Sequence, residues 1–419
     1  MEPESLDTIA DRYVRLVLAM GLHDADYVDA YYGPAAWKEE VAAENPGLEQ
    51  IRERAQELLD RVPDEPATTI RTAGGGEEAL LRLRQHYLRR QLAALVARAG
   101  MRLGSRLTFD EQAEALYDAA PPSHTEAEFE AILHELEGLL PGDGALPGRL
   151  ERFRSRFVIS PDRLDRVFRA AIDECRTRTL EHFALPPGES FRIEYVTDKS
   201  WSGYNWYQGG YASLIQVNTD YPTYIERAID LACHEGYPGH HVYNALLEKN
   251  LVRDRGWVEY SVYPLFSPQS LIAEGTANFG IEVAFPAERR VGFEKSVLFP
   301  LAGLDPATAD AYYAVLARLD RLGYAGNEAA RRYIDGDIDS DEAAEWLVTY
   351  ALYSPERARQ RVRFIDQYGA YVINYNLGKD LVRKHVESLG GTAERPERRW
   401  EVFEDLLSSP RLPSTLVGR

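Results

Sequence analysis

The sequence predicts a mainly α-helical fold in two lobes, with a small β-sheet set beside a histidine-bearing helix. Three observations carry that expectation. Apolar residues recur at three- and four-residue spacing through most of the 419 residues. Clusters of Pro and Gly cut that pattern into helix-sized pieces. Only two short stretches, between 190 and 220, carry the aromatic and β-branched pattern of strands.

From Ser5 to about Leu185 the helical pattern is almost unbroken. Leu80–Leu103, LLRLRQHYLRRQLAALVARAGMRL, sets leucines and alanines at helical spacing among arginines and predicts an amphipathic helix. Thr125, with Glu128 three residues on, predicts the N-cap of TEAEFEAILHELEGLL, which stops before Pro141-Gly142. Loops are expected at Ala73–Gly76, Pro121-Pro122, Pro141–Pro147 and Pro186–Glu189. Strands are expected at Phe191–Val196 and Tyr211–Asn218. Between them WSGYNWYQGGY, with its glycines, reads as a mobile aromatic loop. Helices resume after Tyr221-Pro222, so the organisation expected is an N-terminal helical lobe, 1–185, and a catalytic lobe, 186–419, with the sheet and the later helices.

Composition narrows the function classes. With 67 acidic and 48 basic side chains the formal charge is −19, a field that repels nucleic-acid backbones and anionic membranes. No nucleic-acid or membrane partner is expected. Two cysteines, Cys175 and Cys233, are too few for a disulfide framework and are expected to be reduced. The first residues show no apolar leader with a cleavage site, and no uncharged apolar run is long enough to span a bilayer, so a cytoplasmic protein is expected.

The chemistry concentrates in HEGYPGHH, His234–His241, which holds three of the nine histidines of the chain. In H-E-x-x-H the two histidines lie one helical turn apart and face one zinc ion, while the glutamate beside the first acts as base. IERAIDLACHE supplies such a helix, with Ile225, Ala228, Ile229 and Ala232 as its apolar stripe and Cys233 turned toward it. Here the second histidine comes late. In a regular helix His240 would stand about 240° around from His234, and His241 about 340° but two turns along. Pro238 and Gly239 therefore predict a kink or bulge. A two-residue bulge brings His240 to the metal and a three-residue one brings His241, so both stand as candidates beside His234.

A third ligand is expected from SPQSLIAEGTANFGIEVAF, Ser267–Phe285, where Glu274 is flanked by Gly275 and Ala277, small enough to let two helices close around an ion. Asn278 and Asp230, one turn from the proposed ligands, are candidates to orient them. HEGYPGHH followed by EGTANFGIE resembles a bacterial family of uncharacterised zinc metallopeptidases bearing H-E-x-x-P-G-H-H, which is similar to the gluzincins, the thermolysin-like group. The resemblance covers roughly residues 200 to 390. It implies one Zn²⁺, or another divalent transition metal, on His234, Glu274 and one of His240 and His241, with Glu235 as general base and a peptide or other small amide as substrate. It also implies an edge strand before the metal helix, a place that Tyr211–Asn218 takes, and a tyrosine, Tyr375 in YVINYNLGKDLVRKH, donating to the oxyanion.

Blander readings weigh against parts of this picture. A lone helix histidine is more often a packed residue than a ligand, although clustering beside Glu235 reverses that. Glu282, two turns from Glu274, reads as structural. Tyr204, Trp206, Tyr207 and Tyr211 read equally as a substrate wall, with Tyr204 and Tyr211 the binding candidates, or as loop packing. A non-peptidase or purely structural metal protein stands as the alternative; a structural site would be closed by four protein ligands.

Overall fold

The computed structural model describes residues 5–64, 76–199 and 201–416. It is 68% helical and 8% strand, which makes it the mainly α fold expected. The first part runs α1 (Leu6–Gly21), β1 (Val28–Tyr31), α2 (Ala35–Glu44), α3 (Leu48–Arg61), α4 (Glu77–Arg102), α5 (Phe109–Tyr117), α6 (Glu126–Leu139), α7 (Leu146–Arg154) and α8 (Pro161–Leu180). The middle holds β2 (Ser190–Val196), β3 (Gly203–Gly209), β4 (Ala212–Asn218), α9 (Glu226–Leu231), α10 (His240–Leu247), β5 (Val262–Pro264) and α11 (Pro268–Ala284). The rest is α12 (Ala287–Phe293), α13 (Phe299–Ala302), α14 (Ala309–Arg321), α15 (Gly323–Asp335), α16 (Ser340–Tyr350), α17 (Pro355–Tyr368), α18 (Ile373–Ser388), α19 (Pro396–Leu407) and α20 (Pro413–Leu416).

Local signals explain several of these boundaries. Thr125 caps α6, and the Glu128 carboxylate returns to accept from the Thr125 amide at 2.6 Å. The loop expected at Ala73–Gly76 lies, apart from Gly76, outside the described residues. One large apolar core joins residues from Ile9 to Leu416, and a smaller one packs α6 and α7 against α14 to α17. No described helix is long and apolar enough to cross a membrane.

The sheet departs from expectation in three ways. Residues 203–209, expected as a mobile loop, form β3, antiparallel to β4 with Tyr204 opposite Gln216 and Trp206 opposite Leu214. The period-2 signal was there under the glycines: Asn205 and Tyr207 are buried while Trp206 and Gln208 are exposed. β4 is the central strand, parallel to β2 on one side and antiparallel to β3 on the other, so it offers no free edge. A second, two-stranded sheet pairs β1 with β5, because Val28-Asp29-Ala30-Tyr31 is too short to stand out within a helical region.

Candidate metal centre

The helix that begins with α9 does not continue regularly. Ala232–Gly236 make one π-type turn, in which the Tyr237 amide reaches the Ala232 carbonyl at 3.0 Å. The Tyr237–Pro238 peptide is cis, and the Gly239 amide then donates to the Cys233 carbonyl at 2.9 Å before α10 starts at His240. No other residue fits at 239: a Cβ there would lie 2.0 Å from the His234 carbonyl oxygen and 2.3 Å from that of Cys233. This is the deformation that Pro238 and Gly239 predicted.

It brings His240, rather than His241, to His234. Their Nε2 atoms stand 3.1 Å apart, with the rings crossing at 87°. Glu274 on α11 faces both, Oε2 lying 3.4 Å from His234 Nε2 and Oε1 3.8 Å from His240 Nε2. One ligand atom from each residue falls within 4.8 Å of the others. His241 is turned away and buried, its Nδ1 2.9 Å from Ser213 Oγ on β4 and its Nε2 3.0 Å from Glu189 Oε2, so it does not join the cluster. Glu189 also accepts from Tyr237 at 2.5 Å and Arg176 at 2.8 Å. The sheet thus grips His241, and that grip fixes the start of α10 with His240 facing His234.

Glu274 is carried close to its partners by glycines. A Cβ on Gly275 would lie 2.5 Å from the Gly378 carbonyl carbon, and one on Gly378 would lie 2.8 Å from the Leu271 carbonyl oxygen, so α11 and α18 touch backbone to backbone. Asn278 spans the same contact, its amide donating to the Glu274 and Tyr375 carbonyls at 3.0 and 3.2 Å; it holds the two backbones rather than a ligand side chain. Asp230 faces away, paired with Arg290 at 2.8 Å and Arg227 at 3.6 Å, and orients nothing in the cluster. Tyr371, which the sequence did not single out, donates to Glu274 Oε1 at 2.9 Å. The other oxygen, Oε2, is buried without a hydrogen-bond partner.

The cluster fits a divalent metal. Two imidazole nitrogens 3.1 Å apart, with a carboxylate beside both, are a donor set of the kind that could hold such an ion. Burial disfavours a charge on His240, and neighbouring His234 disfavours it further, lowering the ring to about 4 and keeping it neutral as a ligand must be. Burial opposes ionisation of Glu274, but the His234 and His240 rings beside it and the Tyr371 hydroxyl together hold its carboxyl below the ordinary value.

Glu235 lies next to His234 and is 5% exposed. Burial, with repulsion from Glu274, pushes its carboxyl up to about 7 against the pull of His234 and Arg227. Its backbone carbonyl accepts from Asn205 on β3 at 2.6 Å, and Gly203 leaves the room its carboxylate occupies. Asp29 on β1 is a further carboxyl, pushed up to about 8 by burial and by the charges of Glu274 and Glu235. Tyr204 donates to it, which places that tyrosine beside the cluster. Tyr211 is placed elsewhere. It sits in the turn after β3 at φ +63°, under the Arg253 guanidinium at 4.8 Å, and packs against the Glu248 network instead of the cleft. Tyr207 likewise donates to Glu248, at 2.5 Å. Tyr375 stands on the Tyr371 ring at 5.8 Å, its hydroxyl without a hydrogen-bond partner among the described residues. Glu282 is tied to Lys379 and Arg383, the structural role expected. Cys175 and Cys233 are free and buried, sulfur to sulfur at 3.0 Å.

No family model and no curated protein sequence matches the chain. Among solved structures it is similar to the crystal structure of the putative lipoprotein from Colwellia psychrerythraea, with a TM-score of 0.53 and 14% identity over 90% of this chain and 70% of that one. At that identity the likeness is one of fold.

Proposed function

We propose that the protein is a zinc-dependent hydrolase of peptide bonds, with His234, His240 and Glu274 as the metal ligands. The observation that carries the reading is the convergence of those three side chains within 4.8 Å of one another, with Glu235 next along the chain from the first. Zinc held there would polarise a substrate carbonyl and make water a nucleophile at neutral pH. Glu235, buried and next along the chain from His234, would act as the general base, taking a proton from the attacking water and passing it to the departing amine. The Tyr375 hydroxyl, without a hydrogen-bond partner among the described residues and on a ring edge-on to Tyr371, would donate to the oxyanion.

Three ligands rather than four favour catalysis over a closed structural site, because the fourth candidate, His241, is held by Ser213 and Glu189. The cytoplasmic setting is part of the same proposal and rests on the frugal use of cysteine in so long a chain. The deciding experiment digests a mixed peptide library with and without chelator and with zinc restored. Zinc-dependent cleavage supports the reading; metal-independent cleavage, or none with zinc bound, removes it.

A further inference from the structure

Four cations lie near Tyr375 in the sequence, and the structure separates them. Lys379 is 2.9 Å from Asp320, and Arg383 is held by Glu282 and by Asp380 at 2.9 Å. Arg363 is exposed, about 200° around α17 from Arg361. Arg361 points inward, its guanidinium 4.6 Å over the Phe364 ring and 5.8 Å from the centre of the Tyr375 ring. No carboxylate of the described residues pairs with it, and its Nε is buried without a hydrogen-bond partner. Arg227, whose charge also reaches Glu235, is already engaged by Asp230 at 3.6 Å and Ser202 at 3.0 Å.

Arg399 is also buried without a carboxylate partner, but its Nη1 donates to the Glu282 carbonyl at 3.4 Å, whereas Arg361 has no acceptor among the described residues. Two aromatic rings hold its planar fork, and its buried donor is costly until an acceptor arrives. The group that matches such a fork is a carboxylate, taken through two parallel hydrogen bonds. The route from Arg361 to the metal ligands is short: Tyr375, then Tyr371 5.8 Å on, whose hydroxyl reaches Glu274 at 2.9 Å. An extended peptide advances about 3.3–3.6 Å per residue, so a carboxylate on Arg361 leaves only a few residues between the cation and the cluster.

We infer that Arg361 receives the C-terminal carboxylate of the substrate. Building on the peptidase reading, this makes the substrates peptides with a free C-terminus, cut close to that end. Phe364 and Tyr375 hold the guanidinium in place, and the acidic groups Glu235 and Asp29 act on Glu274 at the other end of the Arg361–Tyr375–Tyr371 row, where they disfavour a carboxylate bound in the reverse direction.

The test measures binding separately from turnover. Tri-alanine and tri-alanine amide are titrated calorimetrically into the full-length, zinc-loaded Glu235→Gln protein, with and without Arg361→Ala or Arg361→Lys. The expected result is binding of the free acid about tenfold or more tighter than the amide, a preference lost in Arg361→Ala by weakening of the acid alone and partly kept in Arg361→Lys. Equal binding of acid and amide, no binding of either, or an acid preference that survives Arg361→Ala overturns the inference. Digestion of the same peptides by the unaltered protein separates the two readings. An Arg361-dependent acid preference without any cleavage leaves the carboxylate pocket standing and removes the peptidase. Cleavage indifferent to the terminal carboxylate does the reverse.

Discussion

Replacing Gly275 by alanine tests whether the spacing of α11 and α18 sets the metal site. The new Cβ would lie 2.5 Å from both the carbonyl carbon and oxygen of Gly378 and 2.9 Å from its Cα, all backbone atoms that no rotamer change can move. Carbon atoms rest at about 3.5–4.0 Å, so the helices must part by about 1 Å. Overpacking of this kind costs about 1–3 kcal/mol, and the better helix propensity of alanine returns about 1 kcal/mol. The net loss is at most about 2 kcal/mol, which for a chain of this length, at about 2.1 cal/mol/K per residue, lowers the melting midpoint by only about 2 °C. The effect on zinc is larger. Ligand distances tolerate about 0.2 Å, and Glu274 is the residue next to the intruding methyl, so affinity is expected to fall about 10- to 100-fold. Competition with a chromophoric chelator measures the affinity, and a thermal scan in the chelator measures the fold. Gly292→Ala, whose Cβ meets nothing within 4 Å, is the control and is expected to change neither for the worse. Zinc held by Gly275→Ala as tightly as by the unaltered protein would refute the reasoning.

Four further outcomes follow from the same geometry. Glu235→Gln is expected to keep its zinc, by elemental analysis, and to lose at least about 100-fold in peptide turnover, since general-base catalysis contributes about that much or more. His240→Ala is expected to bind no stoichiometric zinc, whereas His241→Ala keeps the three ligand side chains and shows its main effect as a lowered melting midpoint, from the lost contacts of His241 with Ser213 and Glu189; equal metal loss in both would reverse the ligand assignment. Tyr371→Phe removes the hydrogen bond to Glu274 and is expected to weaken zinc about tenfold with the fold intact, as read by dialysis against buffered zinc and circular dichroism. In the metal-free protein Glu235, whose carboxyl moves from 4.5 unfolded to about 7 folded, keeps a proton that the unfolded chain has released. Stability contributed this way is present below about pH 4.5 and drains away as pH rises toward 7, so Glu235→Gln should flatten that part of the melting-midpoint profile in chelator; a profile that keeps its slope contradicts the raised carboxyl.

Much of the cluster was legible because its residues sit within short, chemically dense phrases. His234, Glu235 and Pro238-Gly239 declare both where the cluster forms and the break in its helix, and Gly275 declares the close approach that Gly378 completes. The choice between His240 and His241 was not legible, since it depends on Ser213 and Glu189 reaching His241 from β4 and from the loop before β2, contacts 28 and 52 residues distant in sequence. Asp29 was missed for a similar reason: its strand is held by β5, more than two hundred residues on, and nothing in DYVDAYYG announces that pairing. Tyr371 lay four residues before Tyr375 in the same phrase, and only the backbone turn at Gly369–Val372 decides which hydroxyl meets Glu274. The strand at 203–209 was hidden by glycines that, at 209 and 210, serve the positive φ of the following turn.

The pairing of β1 with β5 and the docking of α18 on α11 carry a consequence for how the chemistry comes into being during synthesis. Residues supplied by the first thirty positions and by the stretch after 370 flank a cluster drawn from the middle, so an emerging chain cannot complete these surroundings until that later stretch has left the ribosome. On the proposed reading, hydrolytic competence would then arrive only with closure of the fold, and a product stalled before that stretch would carry the histidines without it.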